Sequence, residues 1–223
     1  DRPTLQWCNE EVKHATCFFL GNGNIKEEGV WLKKQFPTLP VFPWIFWGRN
    51  PAIIEDIVTN EDTLYYDERL IESIFIGNYE NAVQKEHRTK DDWSNVIEEF
   101  HCTSGSQHKF TPREYLEKLG QAKYGLCLRG YGSKCHREVE LMAFGTVPIV
   151  TPDVCIDSYL NPPQENIHYI RVDCPANLRG KLDAIDKETW EKMSDACFDW
   201  YQDNCSSDRV WDLTIRKVLY DTP

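Results

Sequence analysis

Residues 126–150 read LCLRGYGSKCHREVELMAFGTVPIV, and this stretch decides the fold. The apolar run Tyr124–Leu128 gives way to Arg129-Gly130-Tyr131-Gly132-Ser133-Lys134, then at once to a helical pattern over Arg137–Phe144 closed by Gly145. Val147–Val150 follows as a further apolar run. Strand, loop, helix and strand in this order form a β-α-β unit with parallel strands. A loop that only turned the chain would need neither paired glycines nor paired cations.

Upstream, Ser73-Ile74-Phe75-Ile76-Gly77 is a buried strand ended by Gly-Asn. Trp93, Val96, Ile97 and Phe100 share a face at helical spacing, which predicts a helix around 89–100. Thr103–Lys109 is turn-rich, and Thr111-Pro112 opens a helix running to Leu119. Downstream, His168–Val172 is a fourth strand, and two helices fit 187–203 and 207–220. Pro148 cannot donate to a sheet ladder and is tolerable only near the start of its strand.

Residues 1–70 are less regular. They suggest a strand at His14–Leu20, a helix at Ile25–Phe36, a proline-containing strand at Val41–Trp47 and a helix at Ala52–Val58. The expected organisation is a short α/β N-terminal lobe over residues 1–70 and a parallel-sheet lobe with C-terminal helices over residues 71–223.

At the carboxyl end of a parallel strand, the loop 129–134 lies where open α/β sheets bind ligands. Gly130 and Gly132 let backbone N–H groups approach an anion, and the start of the next helix adds the positive end of its dipole. Arg129, Lys134 and Arg137 supply full charges, and Ser133 a further donor. An ordinary strand-to-helix turn with solvated cations is the competing reading. Glu140, three residues after Arg137, is placed to accept from a ribose diol; its plainer use is a surface pair with Arg137.

The 223 residues carry a formal net charge of −11, which disfavours general nucleic-acid binding and adhesion to anionic membranes. Any anionic ligand must then meet a local cluster of cations. Most of the eight Trp, ten Tyr and ten Phe are core residues by default. No apolar run reaches the length of a membrane span, and nothing resembles a signal peptide. Nine cysteines, an odd number without a C-x-x-C, read as thiols of a reducing compartment and favour the cytoplasm. Because the chain opens at Asp1 rather than Met, a trimmed Golgi-lumen ectodomain with one or two bridges is the other reading. Asn204-Cys205-Ser206 formally matches a glycosylation sequon.

The run AKYGLCLRGYGSKCHREVELMAFGTVPIVTPD resembles the donor-binding signature of exostosin-like glycosyltransferases. The matching features are the strand Tyr124–Leu128, Gly130-Tyr131, Arg137 with Glu140, Gly145 with Pro148, and Asp153. Upstream, IFIGNYENAVQKEHR is similar to the family's opening strand and its arginine, here Arg88. A fainter likeness is to the capsid-glycan sugar transferases of large algal viruses of the chlorovirus type, xylosyl transfer included. Cys135-His136 departs from the family's usual Ser-Pro, and residues 1–70 match no motif.

The resemblance implies a GT-B-like fold and transfer of a sugar from a nucleotide-diphosphate donor to an oligosaccharide or glycoprotein acceptor. UDP-sugars are the favoured donors, UDP-xylose among them. It implies donor contacts from Arg88, Arg129, Gly130, Tyr131, Gly132, Ser133, Lys134, Arg137, Glu140 and Asp153. No Asp-x-Asp occurs, so neither a metal nor another cofactor is expected. His87, His101, His108, His136 and His168 are scattered; His136, next to the loop, could reach a phosphate. For a base on the acceptor hydroxyl the candidates are Glu10, Glu11, His14 and Asp56, none in a motif. The alternative to an enzyme is a non-catalytic nucleotide-sugar or glycan-binding module, or a scaffold subunit.

Overall fold

The computed structural model describes residues 15–21, 24–43, 48–61, 63–79, 82–103 and 109–220. Its centre is a five-stranded, wholly parallel sheet in the order β4-β3-β5-β6-β7. The strands are β3 (Ile71–Asn78), β4 (Glu99–Thr103), β5 (Ala122–Cys127), β6 (Val147–Val150) and β7 (Ile170–Arg171). β3, β5 and β6 are almost continuously buried, as strands covered on both faces must be, and this is why they read as mostly apolar runs rather than as alternating ones. Pro148 is the second residue of β6, opposite Gly125 of β5. A Cβ on Gly125 would meet Leu141 at 2.2 Å, so glycine there lets the following helix close on the sheet.

Around the sheet lie α2 (Pro51–Asn60), α3 (Ala82–Arg88), α4 (Pro112–Gly120), α5 (His136–Ala143), the shorter α6 (Leu178–Asp183) and the C-terminal pair α7 (Lys187–Asn204) and α8 (Ser207–Tyr220). Thr111 caps α4, accepting from the Glu114 N–H while Glu114 accepts from the Thr111 N–H. α5 ends at Gly145, whose φ of +64° is open to glycine and strained for other residues. Ile54 and Ile57 of α2 share one core with β3, β5, β6, α5 and α7. α2 therefore packs with the large sheet, although it lies N-terminal to residue 70.

A second, smaller unit precedes it. β1 (Phe18–Leu20) pairs in parallel with β2 (Val41–Pro43), and α1 (Val30–Gln35) packs on them through Leu32. The expected helix 25–36 is split: Ile25–Gly29 forms one wide turn with the Asn24 carbonyl accepting from three successive N–H groups, and only then does α-helix begin. This unit docks on the large one through residues 24–26. The Asn24 amide donates to Cys155 Sγ at 3.0 Å, the Ile25 N–H to Ser158 Oγ at 3.3 Å, and Lys26 pairs with Asp157 at 2.6 Å.

The helix expected around 89–100 does not form. Asp92 accepts from the Ser94 N–H, the Ser94 hydroxyl and the Asn95 amide, which fixes a turn. Trp93 and Ile97 are buried from that turn, and Phe100 enters β4 to stack on Phe75 with ring centres 4.8 Å apart. A helix does occupy this crossover, but earlier, as α3. The strand expected at 168–172 shortens to two residues.

All eight cysteines among the described residues are unpaired, and Cys127, Cys197 and Cys205 are buried. The sequon's Asn204 is buried, donating to the Trp200 carbonyl and accepting from Asn161, so it is closed to glycosylation in the folded chain. Among the described residues no helix is long and apolar enough to cross a membrane.

Gly145→Ala should destabilise the fold by about 1–2 kcal/mol through its left-handed backbone alone. The added Cβ would also meet Ser194 Oγ at 2.6 Å. An unchanged urea midpoint would refute this account of the helix end.

Candidate functional site

β3 and β5 end side by side, and α3 and the loop before α5 converge on their carboxyl edge. The result is a cleft of about 460 Å³. Its wall includes Gly77, Arg88, Gly130, Gly132, Arg137 and Glu140. The volume is in the range of small-molecule sites.

Two buried arginines dominate it. Arg137 is 8% exposed and donates Nη2 to the Ile76 carbonyl, while its Nε and Nη1 are buried without a partner. Arg88 is 4% exposed, donating Nε to the Arg129 carbonyl at 3.0 Å and Nη1 to the Asn78 carbonyl at 2.7 Å. Both guanidiniums lie over Phe75, at 4.6 Å for Arg137 and 5.8 Å for Arg88. Burial, and next the charge of Arg137, push Arg88 down to about 10. The arginines that do pair with carboxylates among the described residues are Arg113, Arg171, Arg179 and Arg216, all elsewhere.

Gly77 makes this packing fit. A Cβ there would lie 2.7 Å from Arg137 Nη2 and 3.1 Å from Arg88 Nη1. In the sequence Gly77 reads only as the end of a strand; a glycine inside a strand pattern is the available signal of a close approach.

Glu140 is 1% exposed and is the carboxylate among the described wall residues. Oε1 accepts from the Arg49 N–H at 2.9 Å and Oε2 from the Tyr115 hydroxyl at 2.6 Å. It forms no surface pair with Arg137. Arg49, Gln84, Thr103 and Tyr115, which no sequence pattern singles out, also line the cleft, and Thr103 Oγ1 is buried without a partner.

The other expected donor contacts divide. Gly130, Tyr131 and Gly132 line the cleft, Tyr131 being 63% exposed, and His136 joins them. Lys134 lines it too, but its amine is turned away, donating to the carbonyls of Ser158 at 2.8 Å and Leu20 at 3.3 Å, and burial lowers it to about 8. Its part is to tie the loop to β1 and to Ser158 rather than to present charge to the cleft. Arg129, Ser133 and Asp153 lie outside the wall; Asp153 accepts from Thr151 and faces His87 at 3.6 Å. The Cys135 N–H donates to both oxygens of Glu138, closing the first turn of α5.

Asp56 is exposed on α2, paired with Arg113 and away from the cleft, which does not suit a base on an acceptor there. Glu10, Glu11 and His14 lie outside the described residues. Among the described residues no three His, Cys, Asp or Glu side chains gather to hold a metal ion.

No protein-family model matches the chain, and no curated protein matches it. A solved glycosyltransferase from Rickettsia africae ESF-5 aligns with a TM-score of 0.43 and 11% identity, over 88% of this chain and 53% of that one. The chain thus spans about half the length of that structure. A likeness this distant assigns no activity.

The crowded arginines give a direct test. Inorganic pyrophosphate should raise the melting temperature, because an anion offsets the repulsion between Arg88 and Arg137 in the folded state only. Gly77→Ala should remove most of that increase by displacing both guanidiniums. An equal increase in the folded variant would show that the arginines do not form the anion site.

Proposed function

We propose that the cleft binds the diphosphate of a nucleotide-sugar donor and that the chain is a glycosyltransferase of GT-B-like architecture. The observation that carries this reading is the pair of buried arginines, with Nε and Nη1 of Arg137 unpartnered, at the carboxyl edge of a parallel sheet. Buried donors and charge without a partner favour a ligand that supplies both. In a chain of net charge −11, so local a concentration of positive charge favours a compact anion over a polyanionic surface.

In this reading Arg137 and Arg88 hold the diphosphate, and Gly130 and Gly132 bring the loop backbone close to it. Glu140 has lone pairs left for the ribose after those taken by Arg49 and Tyr115. As the glycosidic bond to the donor breaks, negative charge grows on the leaving diphosphate, and fixed guanidiniums stabilise it without reorganising. The favoured donor is a UDP-sugar, UDP-xylose included, and the acceptor an oligosaccharide or glycoprotein hydroxyl. The exostosin-like signature around the loop supports the same reading.

UDP should bind far more tightly than uridine, and binding should persist in EDTA because the arginines supply the countercharge. Arg137→Ala should weaken UDP by about tenfold, the worth of one charge-assisted hydrogen bond, and leave uridine unaffected. Calorimetry on the folded variant checks this; equal losses for UDP and uridine would overturn the diphosphate assignment. Release of UDP from a UDP-sugar with an acceptor present separates an enzyme from a binding module, which would retain the donor intact.

A further inference from the structure

Glu140 joins two parts of the chain far apart in sequence. Its Oε1 accepts from the backbone N–H of Arg49, 91 residues upstream, while the Tyr115 hydroxyl from α4 fixes Oε2. The segment 48–49 approaches so closely that a Cβ on Gly48 would lie 3.2 Å from Glu140 Cγ and 2.3 Å from Ile54 Cδ1. Held this way, Arg49 enters the wall of the same cleft as Arg88 and Arg137. Its residue is exposed where theirs are buried, so it stands at the mouth while they form the floor.

We propose that Arg49 is a third phosphate-facing cation of this cleft and that Glu140 is its positioning residue. The inference rests on the anion reading of the cleft. Two fixed guanidiniums on the floor can meet one side of a diphosphate, and its outer oxygens would face solvent unless a cation reaches from the mouth. Arg49 is placed for that, with a long side chain on a backbone held by Glu140 through its N–H and followed at once by Asn50, whose carbonyl accepts from Ile53 and Ile54 at the start of α2. Glu140 acts through that anchor, whatever it does for a ribose.

Pyrophosphate separates the roles, because it carries the phosphates and no ribose. If Glu140 acts only by its charge, removing that charge should tighten an anion. If it positions Arg49, removing its acceptor should weaken one. The two predictions have opposite signs.

The experiment is calorimetry of inorganic pyrophosphate with the full chain and folded variants. Arg49→Ala should weaken binding about tenfold, as loss of one charge-assisted contact does. Glu140→Ala should weaken it comparably and have little further effect in an Arg49→Ala background, since both changes remove one interaction. Glu140→Gln, which keeps an oxygen to accept the Arg49 N–H, should retain most of the affinity. Unchanged affinity in Arg49→Ala, tighter binding in Glu140→Ala, or additive losses in the double variant would each overturn the proposal. Arg49 is exposed, so its variant decides the matter even if Glu140→Ala does not fold. Wild-type protein that binds no pyrophosphate would overturn the diphosphate reading and this inference with it; binding without an Arg49 effect would overturn this inference alone.

Discussion

Two guanidinium groups of like charge sit buried around one glycine, and the arrangement of the chain about the carboxyl edge of the sheet follows from holding them there. Arg88 comes from the last turn of α3 and Arg137 from the first turn of α5, so two separate crossovers must deliver them to one place. Gly77 at the end of β3 leaves the room, Phe75 offers a ring face to both, and the carbonyls of Ile76, Asn78 and Arg129 take some of their donors. None of these partners carries a negative charge. Burying two like charges without a directly paired carboxylate is costly to a fold, and among the described residues only the more distant charges of Glu138 and Glu140 offset it.

The same constraint explains how an acidic protein could bind an anion. At net charge −11 the long-range field repels phosphates, and at physiological salt that field is screened within about 8 Å. Inside the cleft, low dielectric and fixed geometry make nearby guanidiniums dominate over distant surface carboxylates. Any anion bound there would therefore depend on a few positions rather than on the overall balance of charge.

Local patterns are readable where local physics decides. β3, β5 and β6 are mostly apolar runs because both faces are covered, and α5 ends at Gly145 because the chain turns there through a left-handed residue. α4 starts at a Thr-Pro pair for reasons contained in four residues. The stretch 89–103 misleads because Trp93, Ile97 and Phe100 do face the interior but arrive by a turn and an edge strand. Their spacing mimics a helix, and only pairing with β3 favours the strand. Arg69 shows what no local pattern can hold. It donates to the carbonyls of Leu64, Gly120, Ala122 and Phe144 and to the Thr146 hydroxyl, and lies over Trp190 at 4.9 Å, joining the segment before β3 to α4, β5, the end of α5 and α7. Lys134 misleads for the same reason: the loop places its charge correctly in sequence, but the direction of its amine depends on Leu20 and Ser158.

Lys134 and Glu140 also change how the cleft relates to the chain before it. The glycine loop is bonded through the Lys134 amine to β1 of the small unit, and the helix that follows it is bonded through Glu140 to the backbone at Arg49. Both halves of this turn, loop and helix, are thus held by segments N-terminal to residue 71. A shift of the small unit would pull on the Leu20 carbonyl and hence on the residue that ends the loop. The 48–50 segment moves with α2, which is seated in the main core through Ile54 and Ile57. One anchor is therefore rigid and the other depends on docking through Asn24, Ile25 and Lys26. The loop answers to both units, through the Leu20 carbonyl on one side and through Ser158 and the Cys155 N–H on the other, whereas the Arg49 anchor of the helix is seated with the main core.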